Sequence, residues 1–147
     1  MSTIAVAADH AGYTYKEDIR KMLESSGYTV VDFGTDSEKP VDYPDLMRAA
    51  AISVANGESE AGVLFGGSGN GEAIVANKVR GIRCAVCWNE HSARLAKEHN
   101  NANMISIGQR LVTVESAREI VRTWLAAEFQ RGRHQRRVEQ IHLVNDW

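Results

Sequence analysis

The densest concentration of chemistry in this sequence is Phe65-Gly66-Gly67-Ser68-Gly69-Asn70-Gly71-Glu72, which follows a short apolar run and opens a helical pattern. Glycine loses the most backbone freedom on folding, so such a run fits a turn where main-chain amides approach a ligand or adopt positive φ. Amides at a helix start, with the Ser68 hydroxyl, suit an anion or a developing oxyanion. A tight strand-to-helix turn is the plainer alternative. The segment is not a Walker loop, because no Gly-Lys-Ser/Thr follows. It is a poor dinucleotide fingerprint, because Ile74 stands where the third glycine belongs. Glu72 falls in the first helical turn, either as a carboxylate complementing the helix dipole or as a general base above a ligand in the turn.

Other candidates are spread along the chain. Asp9-His10 follows the first apolar run and reads equally as a sugar- or phosphate-binding pair or as a helix cap beside a solvated imidazole. Tyr43 sits in VDYPD at the start of a helical pattern, where packing alone explains it. His99-Asn100-Asn101 closes another, as stop residues with a cation at the helix end. Arg110 follows the last strand-like run. Arg133, His134, Arg136 and Arg137 form a cationic cluster, and Arg133 and Arg137 share a helix face, as two-pronged phosphate binding requires. A solvated charged face is the competing reading. Cys84 and Cys87 form CxxC, but residues three apart in a strand face opposite sides, so both are expected to be buried fillers.

The elements that must position these residues alternate regularly. Strand-like runs at 3–8, 28–33, 61–65, 82–88 and 104–107 separate segments of helical spacing, such as Tyr15, Ile19, Met22 and Leu23, or Ala117, Ile120, Val121, Trp124 and Leu125. The runs are mostly apolar, as in strands covered on both faces. This pattern predicts an α/β three-layer sandwich with a five-stranded parallel sheet, Rossmann- or flavodoxin-like, plus a C-terminal helix. Ligands in such folds bind beyond the carboxyl ends of the strands, where Asp9, Ser68, Glu72 and Arg110 all fall. Gly27 and Asn89 read as a helix stop and an N-cap.

Length and composition set the outer bounds. The chain has 147 residues, 44% hydrophobic and 24% charged, which fits a single domain. Seventeen Lys plus Arg against nineteen Asp plus Glu gives −2 with neutral histidines, which argues against a nucleic-acid binder. Two cysteines supply neither a disulfide framework nor a four-cysteine zinc site. The N-terminus lacks the pattern of a secretory signal, and no run approaches the roughly 18 apolar residues of a membrane span. A cytoplasmic location is therefore expected.

Taken together and in order, AADHAG, DFGT, DYPD, GGSGNGEAIVANK, GIRCAVCW, EHNNAN and GRHQRRVEQI resemble the type B ribose-5-phosphate isomerase family, which also holds galactose- and allose-6-phosphate isomerases. The resemblance covers about residues 3 to 141. It implies an aldose–ketose isomerase working through an enediolate, with no metal and no cofactor. By the same resemblance, Asp9 and His99 open the sugar ring, and Ser68 with the amides around Gly69 and Gly71 forms the oxyanion hole. Gly67 and Asn70 belong to that substrate-binding turn. His10, Arg110, Arg133 and Arg137 hold the phosphate with His134 and Tyr43 nearby, and Asn100 contacts the sugar. One branch of the family uses a cysteine at the position of Gly66 as base. Here that position has no side chain, and the resemblance to the glutamate branch assigns the base to Glu72.

His99 and the arginines follow helices that run back toward the opposite sheet edge from Asp9, Ser68, Glu72 and Arg110. The expectation is a site shared between two chains of a homodimer or dimer of dimers, with 131–147 as an arm on the partner. Ribose 5-phosphate is the expected substrate and allose 6-phosphate the alternative. A flavodoxin-like nucleotide-binding module is the competing class, and it leaves Glu72 and the C-terminal arginines unexplained.

Overall fold

The computed structural model describes residues 2–143, so positions 144–147 of the expected C-terminal arm lie outside the described residues. Five strands alternate with helices: β1 (Thr3–Ala8), α1 (Tyr13–Ser25), β2 (Thr29–Asp32), α2 (Tyr43–Ala55), β3 (Ala61–Gly66), α3 (Asn70–Asn77), β4 (Cys84–Val86), α4 (Glu90–Asn100), β5 (Met104–Gly108), α5 (Val114–Ala126) and α6 (Arg133–Leu143). The sheet is parallel throughout, in the order β2-β1-β3-β5-β4. The last two strands thus exchange places relative to the sequential flavodoxin order. Burial accounts for the exchange: all of β5 is buried, as an interior strand requires, whereas two of three β4 residues are half-buried at the edge. The apolar run at 82–88 therefore yields only a short strand. Its first residues are spent on a turn in which the Ile82 amide donates to Val79 and the Arg83 amide to the Asn103 side chain.

Strand alternation divides the core into two layers. Ile4, Val6, Ala8, Val63, Phe65, Ile105 and Ile107 face α1, α4 and α5, where Ile19, Leu23, Ile120 and the fully buried Trp124 close the layer. Ala5, Ala7, Leu64 and Met104 face α2 and α3, against Met47, Ala50, Ala51 and Ala76. Cys87 joins the first layer and Cys84 the second, on opposite sides as their spacing requires.

Local caps follow the sequence. Gly27 has φ +94 just past α1, and Asn101 closes α4 with φ 44. Asn89 and Ser92 form a reciprocal capping box at the start of α4. The DFGT segment is structural: Asp32 takes both oxygens to Lys16 Nζ at 2.7 and 2.9 Å, and its Oδ1 accepts the Gly34 amide. Lys16 is 1% exposed and shares the α1 stripe of Ile19 and Leu23, so its charge needs this partner. Among the described residues, no helix is long and apolar enough to cross a membrane.

Candidate active site

The order of the strands reverses between β1 and β3, and a crevice of about 690 Å³ opens at their carboxyl ends. Asp9 and His10 enter it from the end of β1, Tyr43 from the start of α2, Gly67, Ser68, Gly71 and Glu72 from the β3–α3 turn, and Arg110 from beyond β5. These eight residues, spread over about a hundred positions, converge because parallel strands all point the same way. A larger hollow of about 750 Å³ between α1 and α5 is lined by charges of both signs, with Asp18 and Arg118 paired.

Glycines build the turn by leaving room for side chains. A Cβ on Gly66 would overlap the Glu72 carboxylate. The same addition on Gly67 would meet the Arg110 guanidinium at 2.7 Å, and on Gly71 the Tyr43 hydroxyl. Gly69 has φ +82 and caps α3, a conformation that places successive amides at the helix start. Close approach was expected for a ligand; the turn in fact makes room first for its own functional groups.

Glu72 is 3% exposed. Burial pushes its carboxyl above the ordinary range, the nearby Asp9 charge pushes the same way, and the amides of Glu72 and Gly69 oppose them. A carboxylate raised by burial and held against a crevice is an environment that suits a general base. Both thiols are unsuited to that task, because burial raises Cys84 and Cys87 well above the ordinary thiol range. Asp9, 8% exposed, accepts the Gly12 amide at 3.0 Å, so it also braces the turn that leads into α1. His10 Nδ1 accepts the Val41 amide at 3.2 Å, which leaves the proton on Nε2. Ser68 Oγ accepts the Asn70 amide at 3.2 Å.

A second cluster forms elsewhere. The His99 and His134 rings stack at 4.2 Å, joining the end of α4 to the start of α6. His134 is held below the ordinary imidazole range by burial first, then by the charges of His99, Arg133 and Arg137. Arg133, Arg137 and Asn100 are exposed beside them. None of these residues lines the crevice that holds Glu72. Arg83, from GIRCAVCW, fastens this region: its guanidinium donates to the carbonyls of Asn100 and Asn101 at 3.0 and 2.7 Å and touches the His142 ring on α6. Sequence reasoning gave Arg83 no role, though a charged residue entering an apolar run was the available sign. Among the described residues, no three His, Cys, Asp or Glu side chains gather as metal ligands.

The family model described as Ribose/Galactose Isomerase matches residues 4–141. The chain belongs to this ribose/galactose isomerase family. Ribose-5-phosphate isomerase B of Escherichia coli K12 is 43% identical over 144 residues, covering 98% of this chain and 97% of that protein. D-erythrulose-4-phosphate isomerase of Pectobacterium atrosepticum is 41% identical over 143 residues, covering 96% and 93%. The structure of Clostridium thermocellum ribose-5-phosphate isomerase B superposes with a TM-score of 0.97 at 46% identity, covering 98% and 97%. The Mycoplasma genitalium ribose-5-phosphate isomerase B with bound ribulose-5-phosphate gives 0.93 at 37%, covering 98% of each chain. Membership of the isomerase family sets aside the nucleotide-binding alternative, which shares the architecture but not the match.

Proposed function

We propose that this protein interconverts D-ribose 5-phosphate and D-ribulose 5-phosphate through an enediolate, with Glu72 as the base. The observation that carries the reading is the buried carboxylate of Glu72 facing the same crevice as the Ser68 turn. In the open-chain aldose, Glu72 takes the proton from C2, and the electron pair moves toward the C1 carbonyl oxygen. Ser68 and the amides around Gly69 and Gly71 stabilise the negative charge that develops there. A proton passes from O2 to O1, and Glu72 returns its proton to C1, giving the ketose. Asp9 and His99 open the furanose ring. His10, Arg110, Arg133 and Arg137, with Tyr43 and His134 beside them, hold the phosphate. That group does not react, and clamping it lets remote binding energy position the carbons.

His99, Asn100 and the α6 arginines lie apart from the crevice, and the reading supplies them from a second copy of the chain. In the homodimer, α6 forms an arm over the partner's crevice, bringing cations to the phosphate, and the end of α4 brings Asn100 to the sugar. A five-carbon substrate and its four- or six-carbon neighbours differ by one hydroxymethylene, which pocket depth decides. The test is a panel of four-, five- and six-carbon aldose phosphates assayed with EDTA present, for wild type and Glu72→Gln. The reading expects highest kcat/KM for ribose 5-phosphate, unaffected by chelation and lost in the variant. Preference for a six-carbon sugar such as allose 6-phosphate, or full activity of Glu72→Gln, would overturn it.

A further inference from the structure

Ser106 is the one hydroxyl in the buried strand Met104–Gly108, and it is fully buried. Its Oγ donates to the Gly69 carbonyl at 2.7 Å. That carbonyl belongs to the peptide group whose N–H is the Asn70 amide, and the Asn70 amide donates to Ser68 Oγ at 3.2 Å. A hydroxyl has one proton to give. Among the described residues the proton of Ser68 has no protein acceptor, and Ser68 lines the crevice. The three groups therefore run in one direction, from Ser106 through the Gly69–Asn70 peptide to Ser68 and out into the crevice. Donation to a peptide carbonyl polarises its N–H, and hydrogen bonds in series strengthen one another away from water.

We propose that Ser106 is a positioning residue for the reaction, acting through the Gly69–Asn70 peptide to aim and polarise the Ser68 hydroxyl at the developing oxyanion. A simpler role, satisfying a carbonyl at the start of α3, is already filled in part by the Ala73 amide, which donates to the same oxygen at 3.2 Å. That second bond keeps the turn anchored when the serine is removed, so Ser106→Ala is expected to fold. The inference rests on the isomerase reading of this crevice.

The test is a double-mutant cycle of Ser106→Ala and Ser68→Ala on the intact homodimer, with ribose 5-phosphate as substrate. Loss of one supporting hydrogen bond predicts a fall in kcat of about fivefold for Ser106→Ala with KM unchanged. In the Ser68→Ala background the same substitution should cost nothing further, because the group it acts on is gone. The Asn70 amide proton resonance should also move upfield in Ser106→Ala. An equal loss in both backgrounds, no loss in either, a change confined to KM or an unmoved Asn70 resonance would overturn the proposal. A wild-type protein inactive on every phosphosugar would instead overturn the isomerase reading, and the Asn70 resonance would still report on the hydrogen-bond chain.

Discussion

Gly66→Ala isolates the space that the proposed base occupies. Gly66 ends β3 beside Gly108, and its φ is outside the left-handed region, so alanine suits the backbone. The added methyl, however, falls on the Glu72 carboxylate, which must swing into the crevice. Displacing a catalytic group by about 1 Å costs on the order of 100-fold in rate. Complete loss of a general base costs about 10²–10⁴-fold. The expectation is a fall in kcat of about 100-fold with KM within about twofold, since the atoms nearest the added methyl all belong to Glu72. Stability should change little, because alanine in a strand recovers about 0.5–1 kcal/mol of backbone entropy against the loss of Glu72 contacts. Steady-state kinetics with a thermal melt on the same samples separates these effects. Shortening the carboxylate with Glu72→Asp in the alanine background should recover part of the rate. A kcat within about threefold of wild type would refute the steric reasoning and, with it, the assignment of Glu72.

Other expectations follow from the same geometry. Because burial and Asp9 raise the Glu72 carboxyl, the acid limb of kcat/KM should lie above the ordinary carboxylate range, and Asp9→Asn should move that limb to lower pH in whatever activity remains. A folded-state carboxyl pKa above the unfolded one favours the native state at low pH, and that advantage is lost as pH rises through the folded value. Glu72→Gln should therefore raise the melting temperature at neutral pH, with the gain vanishing below the ordinary carboxylate range. Asp32→Ala leaves the buried Lys16 ammonium with the Thr35 carbonyl and the more distant Glu17 carboxylate, and should destabilise the fold by about 2 kcal/mol in urea titrations. If the site is shared between chains, co-expressed Glu72→Gln and Arg137→Ala subunits should regain about a quarter of wild-type activity, the share of intact sites in random dimers. No recovery would place the site within one chain.

Much of this architecture was legible in the sequence because period and punctuation carry it. Alternating apolar runs and helical stripes gave the parallel α/β sheet, and Asn89 and Gly27 marked helix ends that the structure confirms. The exchange of β4 and β5 was not legible, since strand order depends on which strand can be buried on both sides and periodicity reports only local faces. Asp9, Ser68, Glu72 and Arg110 could be gathered at one edge because each follows a strand. The stacking of His99 on His134 could not be foreseen, since it depends on how α6 folds back along α4. Lys16, Arg83 and Ser106 escaped notice for a related reason. Each is a polar residue at an apolar position, a sign that something must satisfy it, but its partner lies on another element: Asp32, the Asn100 and Asn101 carbonyls with His142, and the Gly69 carbonyl.

Ribose 5-phosphate carrying deuterium at C2 tests most directly whether the Glu72 carboxylate moves that hydrogen. In ordinary water the wild-type enzyme should show a primary isotope effect and release deuterium to solvent during turnover, while Glu72→Gln should bind the sugar and leave the label in place. Release of deuterium by Glu72→Gln at the wild-type rate would contradict the account.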